Sequence, residues 1–513
     1  GNKGNGASTT QDGTGNNSQV TQQADLTDLI VDQSGDNNLS LVQQGGPRGS
    51  STTDENADNS VGSVIQTGND NRSNVVHRNG DGASFSVSQD SSSEGSLDAF
   101  PSNNSDIDMA GTGADVGVVQ SGENNTSDIR QTGGSSSVSV TQRNDNRPAP
   151  VAQNSSFVRQ NASGASVTVD QDGEGDTSFV QQQVGAAGSS IGVSQLGEDN
   201  DSSVTQSGAG SSVDVYQQSG AGMTGNGNFS NVIQSGGSAS VLSEQYGAGN
   251  RSVIEQSGTG ATAEVLQTSN ASPANPNEGP LPTDPPSNQS HIIQTGNGAY
   301  GSVTQDGDDN QSVLRQASDS DAIVSQTADG NSDNFPTNNS FVEQHVGSDG
   351  AYAEVTQEGD NNQSTVNQYS GSEAYVSQIG ELNVSTVAQN VGTGGSVADV
   401  DQLGGEGYSL VTQNDGASTA TVMQTASSLS AYSEITQGGG SGNSASVTQS
   451  ADATSFVTQS GSSNIATVDQ SGAGALSTIT QTGTGNNADV SQTTASASTV
   501  TQMGTGNVAV VNQ

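Results

Sequence analysis

The stretch QSGSSNIATVDQ (Gln459–Gln470) decides the reading, because QTGTGNNADVSQ (Gln481–Gln492) repeats its glutamine, glycine, asparagine, small residue, valine and closing glutamine at the same offsets. Working outward, the pattern Q-x-G-x-x-N-x-[A/S]-x-[V/I/L]-x-Q occurs in full eleven times. Its opening Gln, its Asn and its closing Gln stand at Gln11, Asn16, Gln22; Gln33, Asn38, Gln44; Gln120, Asn125, Gln131; and Gln195, Asn200, Gln206. They return at Gln245, Asn250, Gln256; Gln305, Asn310, Gln316; Gln357, Asn362, Gln368; and Gln378, Asn383, Gln389. The last three copies are Gln459, Asn464, Gln470; Gln481, Asn486, Gln492; and Gln502, Asn507, Gln513. Looser copies keep only the final part, as in SVSVTQ ending at Gln142 and SVDVYQ ending at Gln217. Glutamines thus recur about every 11 residues, and the Asn-bearing copy tends to return every 21 or 22.

Within a copy the period is two: Asn464, Ala466, Val468 and Gln470 alternate with the variable Ile465, Thr467 and Asp469. Alternation places the motif residues on one face of a strand, and the β-branched residues suit extended backbone. The Q-x-G-x-x-N segments between strands hold glycine and asparagine, which take the positive φ of tight turns. One such unit buries too few valines to order itself, so neighbouring units must stack. The expected fold class is therefore all-β, a β-solenoid of cross-β character with two short strands per rung of about 22 residues and loop insertions. In a column, each inward amide can donate to the next one along the axis, which explains why inward residues match from rung to rung.

Composition bounds the alternatives. Only 28% of the 513 residues are hydrophobic and 3% aromatic, so a conventional globular core is not expected. The formal charge of -44 argues against nucleic acid and anionic lipid as partners. Without cysteine there is neither a disulfide framework nor a thiolate metal site, and no apolar run is long enough to insert in a membrane.

The Gln, Gly, Asn, Ala/Ser and second Gln at these offsets closely resemble the curlin repeat of bacterial curli fibre subunits. That resemblance implies an extracellular functional amyloid of the biofilm matrix, secreted unfolded and assembled by end-to-end stacking of β-solenoid subunits. It also implies a curli-type secretion pore and a nucleator as partners, with the chain itself as the main partner in a head-to-tail homopolymer. This chain is longer, more acidic and more interrupted than the usual subunit.

Four segments follow: residues 1–10, repeats with insertions over 11–268, a Pro-rich insertion at 269–290, and repeats over 291–513 that are most regular at the end. Further breaks in the spacing, at Gly45–Ala57, Ser91–Ala114, Ser219–Asn228 and Thr327–Asn339, read as loops extruded from the coil. QRNDNRPAPVAQ (Gln142–Gln153) reads as a degenerate copy. The eleven prolines confine themselves to these places, as expected if a central strand cannot spare a backbone donor. The chain ends on a ladder position, AVVNQ, and only ten residues precede Gln11, so no cap is expected at either end and open strand edges favour polymerisation. The abundant Asp and Glu are expected to act as outward gatekeepers against premature aggregation.

Little here points to chemistry. Asp170, Asp172 and Asp176 in DQDGEGD offer weak oxygen ligands for calcium, and QDGDDNQ (Gln305–Gln311) offers a similar cluster, but neither fits an EF-hand loop. His77, His291 and His345 lack metal-ligand spacing, and His77 occupies a ladder glutamine position in QTGNDNRSNVVH. No nucleophile with a base, phosphate loop or cofactor fingerprint appears, so neither catalysis nor a cofactor is expected. The rival function is a monomeric or surface-anchored β-solenoid adhesin that binds ligands through its loops. A disordered polyanion is the third, and the strict glutamine spacing opposes it.

Overall fold

The structure, a computed structural model, describes residues 4–513 apart from 24, 46–57, 79, 92–102, 145–152, 220–226, 270–287, 329–337, 393 and 426. Every regular element among the described residues is a β-strand. The chain divides into two units, one holding Gly1–Gly249 and the other holding Asn250–Ala271 and Gly279–Gln513. In the N-terminal unit one sheet opens with Gly6–Asp12, the other with Asn17–Gln22, and successive strands alternate between them. The sheets of the C-terminal unit open with Arg251–Gln256 and Thr262–Thr268 and alternate in the same way.

Each strand lies parallel to the strand one rung away, with like residues opposite like. Gly6–Asp12 pairs with Asp28–Ser34 so that Gln11 faces Gln33, and Asn17–Gln22 pairs with Leu39–Gln44 so that Gln22 faces Gln44. Ile465–Gln470 pairs with Asn487–Gln492, bringing Ala466 to Ala488, Val468 to Val490 and Gln470 to Gln492. Each unit is therefore a β-solenoid with two strands per rung. Register is fixed by the period of two, since a slip of one residue would turn every valine to solvent. In Ile465–Gln470 the residues alternate between exposed and buried, with Ala466, Val468 and Gln470 inside.

The core of each rung is one residue deep from each sheet. Val31, Val64, Val87 and Val118 form a dry column in one sheet of the N-terminal unit, and Val42, Val75, Ile107 and Ile129 form its counterpart in the other. One sheet adds a column of small or apolar residues, the other a column of serines such as Ser455, Ser477 and Ser498. Where a large residue enters a small column, its neighbour compensates: Phe85 stacks on Gly62, and a Cβ at Gly62 would collide with the Phe85 ring.

Two sequence expectations need correction. Ser91–Ala114 is not wholly an extruded loop, because it contains the strand Asn103–Met109, half a rung, paired on both sides. Gln142–Gln153 is not a copy of the repeat: Gln153 is exposed, and the ladder resumes at Asn154 and Gln160 in the strand Asn154–Gln160. The loop expectations at Gly45–Ala57, Ser219–Asn228, Ser269–Ser290 and Thr327–Asn339 fall largely outside the described residues. So do all eleven prolines, and no described strand contains one. The first strand begins at Gly6, inside the segment 1–10. Among the described residues no helix is long and apolar enough to cross a membrane.

Candidate functional site

The feature that a stacking protein needs is a set of rung surfaces that accept one another, and here it is built from side-chain amides. Gln470 Nε2 donates to Gln492 Oε1 at 2.9 Å and, with its second hydrogen, to the Thr454 carbonyl at 3.0 Å. Gln481 repeats this with Gln502 at 2.8 Å and the Ile465 carbonyl at 2.7 Å. Each glutamine thus joins its own rung to the next and one sheet to the other. Because a carbonyl can only accept, the second bond also fixes which end of the amide is nitrogen.

Asparagine does the same at the turn with opposite polarity. Asn464 Oδ1 accepts from the backbone N–H of Asn486 at 3.1 Å and from its Nδ2 at 3.0 Å, while Asn464 Nδ2 reaches the Gly483 carbonyl at 3.1 Å. The glutamine ladder donates toward the C-terminal rung and the asparagine ladder toward the N-terminal rung, so their amide dipoles oppose each other. The motif glycine follows from this close approach. Gly461 and Gly483 have φ of 106° and 115°, and a Cβ on Gly461 would fall on the Gly483 carbonyl oxygen. The residue before the asparagine of each full repeat is left-handed too, as at Asn37, Asn124, Asn361 and Ser463.

In the N-terminal unit Gln11, Gln33, Gln120, Gln195 and Gln245 fall in one glutamine column, and Gln22, Gln44, Gln131 and Gln206 in the other. Asn16, Asn38, Asn125 and Asn200 share one turn. In the C-terminal unit Asn250, Asn310, Asn362 and Asn383 also share one turn, which ends where Asn383 Oδ1 accepts from the Gly407 N–H at 3.0 Å. Asn464, Asn486 and Asn507 occupy a different turn, opened by Asp415 and Asn443. Gln305, Gln357 and Gln378 accordingly lie in the sheet of Thr262–Thr268 with Gln470, Gln492 and Gln513, whereas Gln459, Gln481 and Gln502 lie with Gln256, Gln316, Gln368 and Gln389. The asparagine ladder has changed corners. Seven glutamine steps separate Gln378 from Gln459, an odd number of half-rungs, and that count was available in the sequence.

The acidic candidates separate. Asp170 and Asp172 face outward within 3.3 and 3.6 Å of Arg143, while Asp176 is fully buried in the asparagine ladder. Its N–H donates to Asn154 Oδ1 at 3.1 Å, and its Oδ1 accepts from the N–H and Nδ2 of Asn200, both at 3.0 Å. Oδ2 stands where an asparagine would carry Nδ2, and it has no partner. Burial pushes the carboxyl up to about 7, against the two bonds from Asn200 and with the help of Asp199 and Asp172. QDGEGDTSFVQQ (Gln171–Gln182) is a full repeat with Asp in place of Asn, a signal hidden by reading it as a carboxylate cluster. No group of three metal-binding His, Asp or Glu side chains occurs among the described residues. Asn200, Asn250, Asn310, Asn362 and Asn383, each in an N-x-S triplet that the repeat itself generates, are buried and unavailable for glycosylation.

Comparison with protein families finds the Curlin associated repeat at residues 454–483. That segment holds the strands Thr454–Ser462 and Ile465–Gln470 and most of Leu476–Thr484, with the Asn464 turn between. A search of curated proteins finds no match. The repeat and the parallel two-sheet coil fit a curli-type structural or adhesin protein.

Proposed function

We propose that this protein is the structural subunit of an extracellular curli-like amyloid fibre, polymerising by end-to-end stacking of its solenoids in a matrix or adhesive role. The observation that carries this reading is the in-register ladder. Every rung from Thr454 to Gln513 offers the next one matching strands, the same Gln and Asn amides and the same valine column. A surface that continues itself within one chain is equally suited to continue into another copy, a heterologous contact that does not close. A secretion pore and a nucleator of curli type are the further partners this reading requires.

The test is negative-stain electron microscopy of dilute purified chain sampled for hours after removal from denaturant. Unbranched filaments growing from a soluble state are expected. Isolated rods that never join would favour the adhesin, whose loops would then be the place to seek a ligand.

A further inference from the structure

The glutamine ladder in the second sheet of the N-terminal unit is broken at two successive rungs. Gln22 donates to Gln44 at 2.9 Å, but the Nε2 of Gln44 has no acceptor, because His77 is stacked on it. Met109 follows His77 in the column, and Gln131 follows Met109. Gln131 Oε1 has no donor, while its Nε2 resumes the ladder to Gln160 at 2.8 Å. His77 and Met109 are both fully buried, and neither imidazole nitrogen has a hydrogen-bond partner. An imidazole so placed is expensive to bury, and a thioether, which donates nothing, cannot repair the ladder.

As ligands the same two side chains are well matched. Adjacent rungs stand about 4.8 Å apart, and metal–nitrogen and metal–sulfur bonds of about 2.0 and 2.3 Å together span about 4.3 Å. An ion between one imidazole nitrogen and one thioether sulfur therefore fits a single rung step. The Gly80 carbonyl beside the ring is an acceptor available to one imidazole nitrogen, which leaves the other to ligate. The neighbouring carboxylate does not compete, because Asp108 pairs on the outer face with Arg78 at 3.0 Å, holding the two strands together beside the site. Imidazole and thioether are soft donors and select a soft ion over calcium or magnesium. We propose that His77 and Met109 bind one cuprous ion across two rungs of the N-terminal unit.

The full chain, freshly refolded without oxygen, would be titrated against the coloured Cu(I)–bicinchoninate complex beside the double variant His77→Gln, Met109→Gln. That variant restores glutamine at both rungs, so its β-sheet circular dichroism should be kept, and it should withdraw one equivalent of Cu(I) fewer than the natural chain. Met109→Leu, which preserves the apolar volume without the sulfur, should lose the same equivalent. X-ray absorption of the natural chain carrying one equivalent should report both a nitrogen and a sulfur neighbour. Equal copper uptake by the natural chain and the double variant, or a copper shell without sulfur, would overturn the proposal.

Discussion

At Asp176 a carboxyl stands in for an amide, and only its protonated form can act as one. Oδ2–H can donate as Asn Nδ2 does, whereas the ionised group brings a second negative oxygen into a turn built of carbonyls. Asp172 on one strand and Asp199 at the next turn add like charge, and the Arg143 guanidinium pairs with Asp172 on the outer face, 3.6 Å away. With the folded carboxyl raised to about 7 from its ordinary 3.8, the stability of these rungs is fully present below pH 3.8, falls as pH rises through that window and is level above about 7. Asp176→Asn should therefore stabilise the N-terminal unit at pH 8 by about 2 to 4 kcal/mol and leave it unchanged at pH 3.5. Urea midpoints of the two chains across pH would show this, and a constant difference at all pH values would contradict it. At Gln470 the opposite change is informative. Gln470→Leu leaves the Thr454 carbonyl, Gln492 Oε1 and one hydrogen of Gln449 without their partner, and should cost about 1 to 3 kcal/mol for each group left unpaired. Faster hydrogen exchange confined to the rungs either side of Gln470 is the expected signature.

Between strands, the turns set which rung can follow which. Gly461→Ala forces a Cβ into the next rung at a φ that L residues avoid, and should lower the C-terminal unit's thermal midpoint more than Ala at an exposed strand position such as Thr467. Ser463, left-handed at φ 56°, should gain about 1 kcal/mol on replacement by Gly, and equal midpoints for Ser463→Gly and the natural chain would speak against a strained corner. The alternation of Asn464, Ala466, Val468 and Gln470 made the inward face legible in the sequence, because one buried face leaves a period of two. Asn103–Met109 was not legible: its closing residue is Met109 rather than Gln, and the residues before it break the 11-residue count. Gln153 misled for the converse reason, since a glutamine at the expected spacing stands outside the ladder when residues intervene before the next strand. The change of corner between Asn383 and Asn443 went unread because the half-rungs are nearly equivalent, and each turn tolerates the motif.

Across the molecule, charge opposes what the ladders favour. The 54 acidic groups against 10 basic ones lie mainly on outward positions, and the described carboxylates Asp214, Asp399 and Asp401 are raised above the usual range by partial burial. Acidification therefore discharges part of the surface before the ordinary carboxylate range is reached, and salt screens the remainder within about 8 Å at physiological strength. Assembly followed by thioflavin fluorescence should accelerate with added salt and on lowering pH from 8 to 5, and a rate flat in both would remove the gatekeeping role from the acidic residues. From Asn414 to Gln513 there are only five acidic residues and no basic ones, so that region should nucleate first. The central claim is that rungs stack along the fibre as they do within the chain. X-ray diffraction from aligned fibres tests it most directly: a sharp reflection near 4.8 Å on the meridian, with a diffuse one near 10 Å on the equator, is the predicted result. A 4.8 Å reflection on the equator would place the solenoid axis across the fibre and contradict end-to-end growth.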